Sequence, residues 1–491
     1  MGMVEFPAAW VQATLMDLVA VQYGKALSAN ERVRAGRVPV VGSSGIVDTH
    51  DVELVNGASV IVGRKGAAGA VHLLQQPSWP IDTAYYLQPP DGLDIRWLYH
   101  YLGTQNLGEL DKSTAIPSLS RDDLYKVQVP LAPTAEQITV VEKLEELLSD
   151  LDAGVAELKA AQQKLARYRQ SLLKAAVQGE LTAAWREQHP PTETGAQLLE
   201  RILVERRTRW EARQLAKFEQ QGKARPKDWQ KKYPEPVWPD TADLPALPQG
   251  WVWASAEQLC EFITKGTTPP KDVDDGSRPE VPFLRVTNLT DRGVLDMQDQ
   301  VFVSSATHRG FLARSVVYPG DVLMNIVGPP LGQAAIVPGT WPEWNINQAI
   351  AIYRAVDGVA ASFVCSYLLS SVAQRWLKSR AKTTAGQTNL TLELCRNLPI
   401  PLPPTGEQAV IGRVLEAAVS AVADQAKTAD LALPQSTAQR QNILRSAFNG
   451  QLVPQDPADE PASALLARIR AERAAQGAIK KPRGRKAREA V

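Results

Sequence analysis

Between Pro133 and Gly179 a leucine returns at every seventh position, at Leu144, Leu151, Leu158, Leu165 and Leu172. Val141, Leu148 and Val155 fill the position three residues earlier. Two apolar positions per heptad form one stripe along a helix, which predicts a coiled-coil seam. Thr134 with Gln137 three residues on predicts a capping box at the start. Gly179 stands where a left-handed C-terminal residue belongs, with Leu181 two residues later. The enclosed helix of about 44 residues would run about 66 Å at 1.5 Å per residue, far longer than an ordinary globular helix.

The unit is written twice. Pro133-Thr134-Ala135-Glu136-Gln137 returns 271 positions later as Pro404-Thr405-Gly406-Glu407-Gln408, and residues 173–181 face 444–452 at the same offset. Surface segments drift in length, so a gapless repeat of about forty-five residues points to rods whose length matters. Thr405, Gln408 and Gly450 repeat the punctuation. The second seam is poorer, with Leu415, Val422, Ala429 and Ile443, and Pro434 predicts a kink. One reading is a homodimerising coiled coil; two copies in one chain favour the two rods packing on each other.

Before each rod the period changes to short apolar runs broken by turn residues, as in Val38-Pro39-Val40-Val41 and Ala58-Ser59-Val60-Ile61-Val62, or 281–286, 320–328 and 349–353. Short helices are expected near Ile95–Leu102 and Ser362–Leu377. Both blocks begin with Pro, two residues and Trp-Val, at Trp10 and at Trp251, 241 positions apart, so the second carries thirty more residues. Their interiors diverge while their ends match. After each rod, Leu198-Leu199-Glu200-Arg201-Ile202 and Leu465-Leu466-Ala467-Arg468-Ile469 predict a charged helix with one apolar stripe, either bracing a domain or docking a partner. The expected division is a first head 1–132, first stem 133–182, charged helical segment and linker 183–246, second head 247–403, second stem 404–452, short helix 453–478 and disordered basic tail 479–491. The fold class is α+β: two strand-rich α/β heads, separated and joined by two long helices pairing as an antiparallel coiled coil in a pseudo-twofold repeat.

Composition narrows the function. The 491 residues carry 44% hydrophobic and 22% charged positions, ordinary for a soluble protein, and the net charge is +1. A DNA-binding face must then come from local clustering, as in the Arg- and Lys-rich segment Arg201–Lys232 and the tail Lys480–Lys486. The three cysteines form no CxxC pair and the five histidines no HExxH, so no disulfide framework or zinc site is expected. With no signal peptide and no apolar run of membrane-spanning length, a cytoplasmic location without membrane contact is expected. A methyltransferase tetrad is missing; the closest string, Gly328-Pro329-Pro330-Leu331, lacks both amide and aromatic ring. The Gly63–Gly69 run lacks the Lys-Ser/Thr end of a P-loop, and no nucleophile elbow occurs. No catalytic site, bound cofactor or metal is expected in this chain.

The remaining polar loops suit DNA. Gly63-Arg64-Lys65-Gly66 places two cations on a tight turn, and Lys382–Asn389 is a polar, flexible stretch with donors for base edges and phosphates. Candidate contacts are Ser43, Ser44, Arg64 and Lys65 in the first head, with Lys265, Thr267, Arg285, Asn288, Asn325, Lys382, Thr383, Thr384 and Gln387 in the second. The alternative for each is an ordinary solvated loop residue. Pro482-Arg483-Gly484-Arg485 is similar to a minor-groove hook, or is simply a basic tail.

Taken together, these strings resemble the specificity subunit of a type I restriction-modification system. The likeness is carried by Gly42–Ile46, Val62–Gly69, Ile81–Leu87, Ile116–Ser120, Gly320–Gly328 and Ile346–Ala349. Both Pro-Leu-x-Pro-Thr-x-Glu-Gln junctions, Leu181–Arg186 and Tyr233–Pro236 belong to it too. The resemblance implies that each head is a target-recognition domain for half of an asymmetric, bipartite site in double-stranded DNA, and that the stems set the spacer. It also implies two modification subunits bringing S-adenosylmethionine for adenine-N6 methylation, and restriction subunits using ATP and Mg. A stand-alone bipartite DNA-binding regulator and a coiled-coil adaptor are the competing classes.

Overall fold

The structure, a computed structural model, describes residues 6–110, 117–222, 224–269, 279–384 and 387–479. The chain folds as two compact units, Met1–Lys159 with Asp430–Val491, and Ala160–Ala429. In chain order the first head contains β1 (Val11–Thr14), α1 (Leu15–Leu18), β2 (Gln22–Tyr23), β3 (Val38–Gly42), β4 (Gly45–His50), β5 (Ser59–Gly63), β6 (Val71–Leu74), β7 (Trp79–Pro80), β8 (Ala84–Leu87), α2 (Ile95–Thr104), α3 (Arg121–Tyr125) and β9 (Gln128–Leu131). The first stem, α4 (Thr134–Val177), follows, then α5 (Ala183–Gln188) and α6 (Gly195–Gln220).

The second head contains β10 (Val252–Ser255), α7 (Ala256–Leu259), β11 (Cys260–Lys265), β12 (Val281–Leu284), β13 (Val301–Val303), α8 (Ser305–Arg309), β14 (Val322–Asn325), β15 (Val327–Gly328), β16 (Ala334–Ile336), β17 (Asn345–Ile346) and β18 (Ile350–Ala355). It continues through α9 (Ala361–Leu369), α10 (Ser371–Arg380), β19 (Lys382–Thr384), β20 (Gln387–Asn389), α11 (Leu392–Asn397) and β21 (Pro399–Leu402). The second stem, α12 (Thr405–Phe448), and α13 (Ala462–Ile479) close the chain. The single helix expected over Ser362–Leu377 is two, because Ser370 takes an extended conformation and caps α10 through Ala373 N–H.

The heads diverge in sequence but share one topology. Each has an entry pair, β1-β9 or β10-β21, and a four-stranded sheet, β2-β8-β5-β6 or β11-β18-β14-β16. Each also has a three-stranded sheet whose middle strand pairs once antiparallel and once parallel, β4-β3-β7 or β13-β12-β17. Strand alternation explains the layering. Val60 and Val62 face the core with Trp97 and Leu98, while Ile61 points the other way to Val41 and Ala84. In the second head Val322 and Met324 face one core and Leu323 joins Trp344 and Ile352 on the other side. The second head adds the sheet β15-β20-β19.

Within each unit the stem segments run antiparallel. In the first, Val141, Leu144 and Leu148 are buried with Ala447 and Phe448, and Asp152 pairs with Arg440. In the second, Leu172, Ala176 and Val177 pack with Ile411, Leu415 and Val422. Leu151, Val155, Leu158, Leu165 and Ile443 are half-buried, as two helices alone cannot enclose a seam. Helix α12 runs from Thr405 to Phe448 with Pro434 inside it, at an exposed position.

The post-stem helices brace heads. The N–H of Gly195 donates to Gly250 O (2.7 Å) and that of Ala462 to Ala9 O (2.9 Å), the matching point 241 residues earlier. Leu198, Leu199 and Ile202 enter the core of the second unit; Leu465, Leu466 and Ile469 enter that of the first. Each unit thus combines a head with the brace that follows the other head's stem in sequence.

The doubled Pro-Thr-x-Glu-Gln motif is a buried joint. Glu136 accepts from the Trp10 indole (2.8 Å) and the Gln455 amide (3.2 Å). Glu407 accepts from the Trp251 indole (2.8 Å), the Thr182 hydroxyl (2.6 Å) and Arg186 Nε (2.9 Å). The expected capping boxes do not form. Gln137 instead accepts from Asp94 N–H and donates to Ala132 O, and Gln408 accepts from Ala360 N–H and donates to Pro403 O. These glutamines bind the loop before α2 or α9, because closing an open head loop satisfies more buried backbone than capping an already tied helix start.

The glycine stops behave as read. Gly179 (φ +73°) and Gly450 (φ +71°) are left-handed, with Glu180 N–H bonded to Ala175 O and Gln451 N–H to Ser446 O. A Cβ on Gly450 would lie 2.3 Å from Pro7 Cγ, whereas one on Gly57, also at positive φ, would meet nothing within 4 Å. Gly450→Ala is therefore expected to destabilise the chain by about 2–4 kcal/mol, from left-handed strain plus overlap. Gly57→Ala should cost only the strain of about 1 kcal/mol. Urea unfolding of the two variants side by side measures the difference, and equal shifts would contradict the overlap argument.

Candidate nucleic-acid interface

Shared topology puts Ser43 and Ser44 on the connection that matches that of Arg285 and Asn288, and Arg64 and Lys65 beside the strand end that matches Asn325, whereas Lys265, Thr267 and the residues of β19 and β20 match no candidate in the first head. In the first head Ser43 and Ser44 form the β3–β4 turn, and Arg64 and Lys65 open the β5–β6 connection. The two meet: a Cβ on Gly63 would lie 3.1 Å from Ser43 O, and His72 Nε2 of β6 donates to the same carbonyl (3.2 Å). The cation loop is tied by its backbone, with Arg64 and Lys65 N–H bonded to Thr83 O (2.8 and 3.1 Å) and Leu119 N–H to Arg64 O (2.9 Å). Gly66 (φ +80°) makes the turn. Ser44 and Lys65 are exposed. Arg64 donates through Nε to Asp82 O and lies over the Tyr23 ring, 5.5 Å from its centre; Arg121 lies 5.1 Å from the same centre. Tyr23, His72 and Arg121 escaped the sequence reading because no local pattern marks them.

In the second head the placement is mixed. Lys265 is exposed at the end of β11, and Thr267 accepts from Arg314 Nε (3.1 Å). Arg285 is half-buried and donates to Asp299 O (3.2 Å). Asn288 is buried: its side-chain oxygen accepts from Arg285 N–H and its amide donates to Asp296 O. Asn325 is also buried, accepting from Val327 N–H and donating to Pro330 O. These two amides hold turns and present no donor outward, which corrects their reading as base contacts. Lys382 and Thr383 are exposed on β19, which pairs antiparallel with β20; residues 385–386 and the side chains of Thr384 and Gln387 lie outside the described residues. The string Ile116–Ser120 is described only from Pro117, and the basic tail from Lys480 lies outside the described residues altogether.

Electrostatics separate these loops from the basic run Arg201–Lys232. There Arg201 pairs with Glu193 and Glu205, Arg207 with Glu211, Arg209 with Asp357 and Lys231 with Asp228. Much of that charge is neutralised internally. Cys260, Cys365 and Cys395 are buried, and burial raises their thiols to about 12, 12 and 11. Such thiols are inert at neutral pH. Among the described residues no group of three His, Cys, Asp or Glu could hold a metal, and no helix is long and apolar enough to cross a membrane.

Two heads of one topology, each braced on paired stem segments and each carrying its own polar loops, define a duplicated two-headed subunit. The chain belongs to the type I restriction modification DNA specificity domain family, whose model matches residues 7–160 and 248–428, and is a specificity subunit. It is 26% identical to the Type I restriction enzyme EcoBI specificity subunit of Escherichia coli, over 98% of this chain and 96% of that one. The EcoDI specificity subunit of the same species is 24% identical, over 98% of each chain. A solved structure described as the "structural basis underlying complex assembly and conformational transition of the type I R-M system" shares the fold, with a TM-score of 0.61, 16% identity and coverage of 91% of this chain and 99% of that chain.

Proposed function

We propose that this chain is the non-catalytic DNA-reading component of a type I restriction-modification complex. The observation that carries the reading is two heads of one topology whose connecting loops differ, Ser43–Gly45 and Gly63–Gly69 against 285–300 and 326–333. Equal frames with unequal loops suit an asymmetric target in two halves, one half for each head. The stems, 44 residues each, act as the ruler for the unspecified spacer between halves. Two modification subunits dock, bringing S-adenosylmethionine for adenine-N6 methylation, and restriction subunits with ATP and Mg act through them. This chain contributes specificity and assembly.

Expression with its modification partner in a methylation-free host, followed by mapping of modified adenines by single-molecule sequencing, tests the reading. The expected result is a split, asymmetric motif seen only when both components are present. Methylation from this chain alone, or none from a complex shown to have assembled, would sink the proposal.

A further inference from the structure

We infer that Arg64 and Arg121, gathered on Tyr23, form a phosphate site that grips the DNA backbone beside the half-site of the first head. The inference rests on the DNA-reading function proposed above. Both guanidinium carbons lie within 5.5 Å of one ring centre, and Tyr23 is 48% exposed at the head surface. Neither arginine pairs with a carboxylate among the described residues. Among the described residues the Arg64 side chain has one hydrogen bond, to the Asp82 carbonyl, and Arg121 Nε is buried without a hydrogen-bond partner. Elsewhere on the same unit Arg468 pairs with Glu460, Arg470 with Asp17 and the half-buried Arg32 with Asp48.

Gathering two cations without a counterion is unfavourable. The electron-rich ring face offsets only part of it. An incoming phosphate supplies the missing charge and acceptors for both guanidinium groups, and charge-assisted pairs of this kind are the strong ones. Exposed Lys65, next in the chain, adds a third cation on the same turn. The three elements involved, the β2 end, the β5–β6 connection and the start of α3, hold the site without an insertion or mobile arm. Because phosphates carry no base identity, the site sets register and affinity and leaves the motif to other residues.

The test uses the full chain and a labelled mixed-sequence duplex long enough for both heads, with binding followed by fluorescence anisotropy across a KCl series. Arg121→Gln is expected to weaken binding several-fold at low salt and to flatten the slope of log K against log salt by about one. Arg121→Lys, which keeps the charge, should retain the slope. The methylated motif should not change. Should Arg121→Gln fail to fold by its urea midpoint, Arg64→Gln reads the same slope. An unchanged slope and affinity in a folded variant, with the unaltered chain binding normally, overturns the site alone. Absence of salt-dependent binding by the unaltered chain overturns the DNA-reading function and the site with it.

Discussion

Removing one heptad from each stem, residues 151–157 and 435–441, is expected to shorten the spacer of the recognised motif by about three base pairs, or to abolish methylation. Seven helical residues span about 10.5 Å, against about 3.4 Å per base pair. The cut brings Leu158 into the place of Leu151 and Ile443 into that of position 436, so both seams keep their phase. It removes Asp152 and Arg440 together, leaving neither charge of that pair behind. Three base pairs also turn the duplex by roughly 100°, since a full turn takes 10–10.5. A shorter spacer must therefore be met on a different face, which is why loss of activity is the alternative form of the same result. Cutting only one stem shifts every seam contact beyond the cut and should cost stability instead. Methylome mapping of the doubly shortened chain with its partner decides the matter. An unchanged spacer at full activity would end the ruler argument.

The second large effect lies at the joints. Glu407 is 1% exposed and holds the Trp251 indole, the Thr182 hydroxyl and the Arg186 guanidinium, which also lies over the Trp251 ring. Glu407→Ala strands a cation and two donors, and breaking a buried pair from one side costs about 3–5 kcal/mol. Glu136, 4% exposed, meets among the described residues the neutral donors Trp10 and Gln455 and no cation. Its replacement by Gln strands at most one donor, for about 1–3 kcal/mol. Urea unfolding followed by tryptophan fluorescence should show the larger shift for Glu407→Ala, and adding Arg186→Met to it should recover part of the loss. Equal shifts for the two sites, or no recovery, would show that the arginine does not set the difference.

The sequence made the stems legible because heptads and caps are local. Leucine every seventh residue, an unbroken offset of 271 and glycines at both helix ends are readable without knowing any distant contact. The same holds for the absence of catalytic strings and for the family likeness. Local rules failed where two partners competed for one side chain. Gln137 and Gln408 have the spacing of a capping box but close head loops, and Asn288 and Asn325 look like base readers but hold turns. The Arg201–Lys232 run reads as a basic face, yet its acids sit one helical turn away or on the head beside it.

What the sequence determined by itself is the doubled plan of variable heads on constant stems, because periodicity and repetition are properties of the chain order. Only the tertiary structure decided that both heads share one sheet topology, that each brace helix serves the head that its own stem does not follow, and that Tyr23, Arg64 and Arg121 meet. Those outcomes depend on strand pairing and side-chain contacts between residues far apart in sequence, and such contacts leave no period to read.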